Sequence, residues 1–299
     1  MGIDASGIQF LCMAKNRGVD FREMLTIGRQ NFYNDPRVLK RAARALGLPA
    51  EFPGADDEYA DRFFRTFLGV EKLESMDATA YEQASIVHDL NQPIPDSLRN
   101  RFGVVFDGGS LEHVFHCTQA YKNLMQMVRV GGWFLQLTAA NNLLGHGFWQ
   151  ISPELIFRCF TPENGYELDC VLLKELSLDD RWYRVRDPEK LRRRVELSNR
   201  SQTNIFTIAR KVADVDVFAR TPQQSDYIRA WTGQGSTHSG VPKTVLDPYT
   251  WRRRLRFLPK PARAWVNNTA KTIGIRPPFD PHCYRRVPEA DLLRGRLGD

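Results

Sequence analysis

Three aspartates, Asp77, Asp89 and Asp107, stand just beyond three short apolar runs of this 299-residue chain. The last of them opens the turn Asp107-Gly108-Gly109-Ser110, which runs on into Leu111-Glu112-His113. A carboxylate can accept two hydrogen bonds from a ribose diol, and a second acceptor can take a proton of an exocyclic amine. Glycines beside one of these acids let the backbone come close to whatever binds. The set therefore suits a ligand with a ribose and an adenine edge. Two histidines could add proton transfer, because a neutral imidazole is a competent base near pH 7. His146, in the loop after the fifth apolar run, is the first candidate and His113 the second. Each residue also has a plain structural role open to it. Asp77 can be the N-cap of a helix over Thr79–Ala84, Asp89-Leu90-Asn91 can form an Asx turn, and Glu112 can sit favourably at a helix start. The five cysteines (Cys12, Cys117, Cys159, Cys170, Cys283) are scattered and show no CxxC, which argues against a disulfide framework or a zinc site. No metal is expected on that basis.

Residues of this kind need a frame that brings loop ends together. Short β-branched runs alternate with helical patterns from about residue 20 to 212, which predicts βαβ units around a mostly parallel sheet. Seven strands are expected, at 23–27, 70–76, 84–88, 102–106, 132–137, 168–176 and 204–211. Helices are expected at 36–46, behind Asp35-Pro36, then at 56–68, at 118–128, from Ser152-Pro153 to Phe160, and at 221–231. The fold class is α/β, a Rossmann-like seven-stranded sheet with helices on both faces. In such sheets the ligand lies beyond the carboxyl ends of the strands, where the strand order reverses.

The run from Val87 to Trp133 resembles the heart of a class I S-adenosylmethionine-dependent methyltransferase. Asp89-Leu90, Pro93 and Pro95, Phe102–Phe106, Leu111-Glu112-His113-Val114 and Val130-Gly131-Gly132 stand where that family has its acidic motif, its linker, its fourth strand, the turn after it and the entry to the fifth. The stretch from His146 to Leu155, with Gly165-Tyr166, is also similar, and the resemblance covers roughly residues 20–212. It implies S-adenosylmethionine as cofactor. Asp77 would take the ribose hydroxyls, Asp89 and Leu90 the adenine, and Asp107, Gly108, Gly109 and Ser110 the methionine end. The first strand departs from the pattern. The family has Glu/Asp-x-Gly-x-Gly-x-Gly there, whereas this chain reads Thr26-Ile27-Gly28-Arg29-Gln30-Asn31. Gly28, Arg29 and Gln30 meet the cofactor in another way, with Arg29 or Gln30 on its carboxylate, or binding has been lost.

The resemblance implies methyl transfer to an O or N nucleophile of a small-molecule or glycan-type acceptor. A methyltransferase-like scaffold without activity is the alternative, and a nucleotide- or sugar-nucleotide-using enzyme the third reading. The composition is that of a globular chain, with 26% charged residues, and the first residues do not read as a secretory signal, so a cytoplasmic location is expected. The net charge of +7 is uneven: residues 1–180 carry 17 basic and 24 acidic side chains, and residues 181–299 carry 25 and 11. A boundary near 232 separates the α/β domain, 1–232, from a basic, Pro-containing extension, 233–299. Within it, 251–265 interleaves cations with Trp, Leu and Phe, which suits a tail that wraps the domain with Trp251 and Trp265 in grooves or, alternatively, contact with an anionic membrane surface. Nothing there resembles an RNA-binding module, and nucleic acid is not expected as a partner.

Overall fold

The computed structural model describes residues 2–49, 57–176, 181–232, 258, 259, 261, 262, 265 and 279–298. Most of 251–265 lies outside the described residues, and so does the start of the helix expected at 56–68. Two compact units emerge, one of residues 1–185, 201–222 and 286–299, the other of 186–200 and 223–285. They do not follow the expected division at 232, since the described end of the chain folds with the first unit.

The first unit is built on a sheet. The sheet strands are β1 (Glu23–Ile27), β2 (Lys72–Asp77), β3 (Ile86–Val87), β4 (Phe102–Asp107), β5 (Val128–Asn141), β6 (Tyr166–Glu175), β7 (Trp182–Val185), β8 (Thr203–Lys211) and β9 (Tyr284–Val287), the last of which begins in the second unit. The spatial order is β9-β7-β6-β8-β5-β4-β1-β2-β3. Five strands in the order 3-2-1-4-5 pair in parallel, as in a doubly wound sheet. Beyond β5 the ladder becomes antiparallel through β8, β6 and β7. Among the described residues the sheet therefore has nine strands where seven were expected, and it is parallel in one half only. Two short strands account for the difference. β7 and β9 have four residues each, too few to show the alternation that marks a strand in sequence.

Helices α1 (Ala5–Asn16), α2 (Pro36–Ala45), α3 (Cys117–Met127), α4 (Pro153–Cys159) and α6 (Glu289–Leu293) surround this sheet. The caps read from sequence hold: Asp35 Oδ1 accepts the Arg37 N–H at 2.8 Å and Ser152 Oγ that of Leu155 at 3.3 Å. One core layer joins Phe10, Leu11, Val38 and Leu39 to Val104, Phe106, Leu135 and Phe206. The other face carries an aromatic cluster of Tyr121, Phe134, Phe160 and Tyr166, with Phe134 and Phe160 centroids 4.6 Å apart. Helix α1 escapes sequence reading because every residue from Ser6 to Ala14 is buried, so it has no polar face to set a period. In the stretch expected as one helix at 56–68, Asp61–Phe63 is a single α turn, and Phe64–Leu68 widens into a π-helical turn ended by Gly69 in the left-handed region. This arrangement buries Phe63, Phe64, Phe67 and Leu68 together, with Phe63 stacked on Phe32 at 5.4 Å.

The second unit contains α5 (Ser225–Trp231) and a turn of helix at Pro188–Leu191. Ion pairs Arg193–Asp280 at 2.7 Å and Arg194–Asp226 at 2.6 Å hold it together. Among the described residues no helix is long and apolar enough to cross a membrane.

Candidate functional site

From β1 the chain builds outward to β2 and β3 and then returns to β4 on the other side, so the strand order reverses between β1 and β4. The carboxyl ends of these two strands frame the crevice where doubly wound sheets bind their ligands. Two loops meet there, Gly28–Gln30 and Asp107–Ser110.

The crevice is filled from within. Gln30 is 2% exposed, and its Nε2 donates to the Ile27 carbonyl at 2.8 Å. Its Oε1 is buried with no hydrogen-bond partner and lies against Gly108, where a Cβ would stand 2.2 Å from it. Ser110 Oγ donates to the same Ile27 carbonyl at 2.9 Å. Asp107 is fully buried. Its Oδ1 accepts the Ser110 N–H at 2.8 Å and its Oδ2 accepts Gln136 Nε2 at 2.9 Å, while Tyr121 donates to Gln136 at 2.8 Å. Burial, with Glu112 nearby, raises the Asp107 carboxyl above the usual carboxylate range. Arg29 points elsewhere, ion-paired to Asp61 at 3.4 Å and lying over the Tyr59 ring at 3.9 Å. Gly28 keeps the ladder going, its N–H donating to Met76 at 2.7 Å with a φ of 69°.

Asp77 ends β2 half-buried and accepts the Thr79 N–H at 3.4 Å. Asp89 is exposed and forms the Asx turn, accepting the Asn91 N–H at 2.9 Å and Asn91 Nδ2 at 2.7 Å; these bonds lower its carboxyl below the usual range and keep it charged. Leu90 beside it is buried. A cavity of about 180 Å³ lies along β1 and β2, lined by Thr26, Arg29, Gln30, Leu73, Ser75 and Ser85. Of the sequence-predicted residues only Arg29 and Gln30 line it, and a drug-sized ligand needs roughly 300 Å³ or more.

A different group of residues gathers past the ends of β4 and β5. Glu112 is buried, and its Oε2 accepts the Thr138 hydroxyl at 2.8 Å. Its backbone carbonyl accepts the N–H of Phe148 at 2.7 Å and of Trp149 at 3.2 Å, which ties the 143–150 loop to the 110–113 turn. Gly147 makes this approach feasible, with a φ of 76° and the Glu112 carbonyl where a Cβ would otherwise lie, 2.6 Å away. His146 Nε2 comes to 3.5 Å from Glu112 Oε1, and the His113 and His146 rings meet edge to face at 4.9 Å. Burial raises the Glu112 carboxyl; burial and His146 lower the His113 imidazole. Exposed Phe115, Phe148 and Trp149 flank the cluster. Sequence reading had both histidines, and it left Glu112 open between a helix-start role and a catalytic one. The sole signal was its place two residues past Ser110, and nothing local announces that residue 146 returns to it.

A methyl donor of the implied kind would find Asp77 and Asp89 available as hydrogen-bond acceptors. Beside Gly108, the orphaned Oε1 of Gln30 occupies the glycine-bared space such a donor would need. The residues fit it once Gln30 swings aside.

No protein-family model matches the chain, and neither does any curated protein sequence. Solved structures similar to it include a proposed methyltransferase of Bacillus halodurans, at 13% identity and a TM-score of 0.37, covering 67% of this chain and 99% of that one. Another is the trans-methyltransferase CalH in complex with SAH, at 13% identity and a TM-score of 0.37, covering 69% of this chain and 57% of CalH. A SAM-dependent methyltransferase of Thermotoga maritima is similar at 12% identity and a TM-score of 0.32, covering 69% of this chain and 89% of that one. At scores of this size the Rossmann-like fold rests on the chain's own strand order rather than on the likeness.

Proposed function

We propose that the chain is an S-adenosylmethionine-dependent methyltransferase acting on an O or N nucleophile of a small-molecule or glycan-type acceptor. The observation that carries this reading is the pair of available carboxylates, Asp77 and Asp89, following consecutive parallel strands beside the switch point. When bound, the cofactor supplies an electrophilic methyl group on a sulfonium. Asp77 accepts the ribose hydroxyls; Asp89, with Leu90, faces the adenine. Gly108 to Ser110 bare the backbone for the methionine end after Gln30 leaves, while Asp107 holds that turn through Ser110. His146 takes the acceptor proton, with Glu112 behind it and His113 second in reach. Phe115, Phe148 and Trp149 offer flat apolar faces on which a sugar or aromatic acceptor can lie. A cytoplasmic location goes with this reading, and the five free, buried thiols support it.

Calorimetry with S-adenosylmethionine and S-adenosylhomocysteine tests the proposal. Saturable heat that weakens at least tenfold in Asp77→Ala and Asp89→Ala supports it; folded protein that gives no heat at millimolar ligand sinks it. One observation favours a second reading, a methyltransferase-like scaffold without a cofactor: Gln30 fills the crevice and is itself fixed by a 2.8 Å hydrogen bond. Gln30→Gly distinguishes the two. Restored binding assigns the side chain as a plug, whereas continued silence leaves the scaffold.

A further inference from the structure

We infer that Glu112, His113 and His146 form a site for one divalent first-row transition ion of the Zn²⁺ type. Their ligand atoms all lie within 4.8 Å of one another. The spacing within the cluster is the informative part. Glu112 Oε1 and His146 Nε2 stand 3.5 Å apart, too far for a charge-assisted hydrogen bond, which runs about 2.7–2.9 Å. Two ligands of one tetrahedral ion, each at roughly 2.0–2.1 Å from it, are separated by about 3.4 Å. The pair is thus spaced as co-ligands. His113 meets His146 edge to face, and one of its ring nitrogens lies within 4.8 Å of the ligand atoms of the other two residues, which makes it the third ligand at hand.

The supporting structure fits as well. Thr138 donates to the other oxygen of Glu112 at 2.8 Å, the kind of outer hydrogen bond that fixes a metal-binding carboxylate. The loop carrying His146 is fastened to Glu112 by two backbone hydrogen bonds and closes over Gly147. Glu112 is buried whereas both histidines are exposed, which leaves a face of the ion open to solvent or to a ligand. Two imidazoles and one carboxylate, with no thiolate, suit Zn²⁺, Co²⁺ or Fe²⁺ better than Mg²⁺ or Ca²⁺. The five cysteines are buried.

The binding site stands on this geometry alone; its use rests on the methyl-transfer reading. An ion here would hold an acceptor hydroxyl and lower its pKa, so that the proton leaves to water and the oxygen is ready for the methyl group. In that state His146 is a ligand, and its metal-bound nitrogen no longer serves as the base.

Equilibrium dialysis of the chelator-treated full chain against Zn²⁺ tests the proposal. One ion per chain is expected, with at least tenfold weaker retention in Glu112→Gln, His113→Ala and His146→Ala. The histidine variants change exposed side chains, and circular dichroism confirms their folding. Co²⁺ loading should give a d–d spectrum without a thiolate charge-transfer band. Absence of retention, equal affinity in all three variants, or a thiolate band overturns the site. S-adenosylhomocysteine calorimetry on the same ion-free proteins reads the cofactor proposal separately, so either idea can fail alone.

Discussion

The crevice between β1 and β4 and the cluster past β4 and β5 lie at the same end of the sheet and share the 107–113 segment, yet they are built in opposite ways. In the crevice nearly every polar atom is engaged inside the protein: Asp107 with Ser110 and Gln136, Gln136 with Tyr121, Gln30 and Ser110 with the Ile27 carbonyl. In the cluster one buried carboxylate reaches toward two exposed imidazoles. Buried polar networks are costly to break, and exposed side chains are cheap to change. The first region therefore reads as a stabilising element with one incompletely satisfied member, Gln30, whose Oε1 has no partner, and the second as the part available for chemistry.

Substitutions break this contrast in graded order. Asp107→Ala should cost most, about 2–4 kcal/mol, because it leaves the Ser110 N–H and the Gln136 amide unpaired in the core; urea unfolding measures it. A cost under 1 kcal/mol would mean that water already reaches the crevice. Gly147→Ala comes next, at roughly 1–3 kcal/mol, since a Cβ must meet the Glu112 carbonyl at 2.6 Å in a left-handed conformation. Gly108→Ala should cost about 1–3 kcal/mol through its collision with Gln30, and most of that should vanish in a Gln30→Gly background. Additive costs would show that the two residues do not compete for one space. His146→Ala should change stability by no more than about 0.5 kcal/mol, its side chain being 53% exposed. The same substitution should raise the His113 pKa, since the charge of His146 is one cause of its lowering, and ring-proton NMR would follow the shift.

The pH dependence of folding sharpens the comparison. Burial raises the Asp107 and Glu112 carboxyls in the folded state, so from about pH 4 upward the unfolded chain gives up these protons first. Stability contributed by these groups is therefore highest in acid and declines as the pH climbs toward their folded values. Asp107→Asn should flatten that decline in a series of thermal melts. An unchanged slope would place the titration elsewhere.

Much of the frame was legible in sequence because its signals are local. Asp35-Pro36 and Ser152-Pro153 announced their helices, and the apolar runs at 23–27, 102–106 and 204–211 became β1, β4 and β8 with shifts of a residue at most. The Asx turn at Asp89 is also a short-range affair. Helix α1 stayed hidden because it is buried all round, and β7 and β9 because four residues carry little pattern.

By itself, then, the sequence determined which residue types follow which strands, since turn chemistry and alternation act within a few residues. Only the tertiary structure decided that Gln30 lies over Gly108 and that His146 returns to Glu112. The physical reason is the same in both cases. Each meeting depends on two strands pairing in register across 78 and 34 positions of chain respectively, and no local preference encodes where a distant side chain will find room.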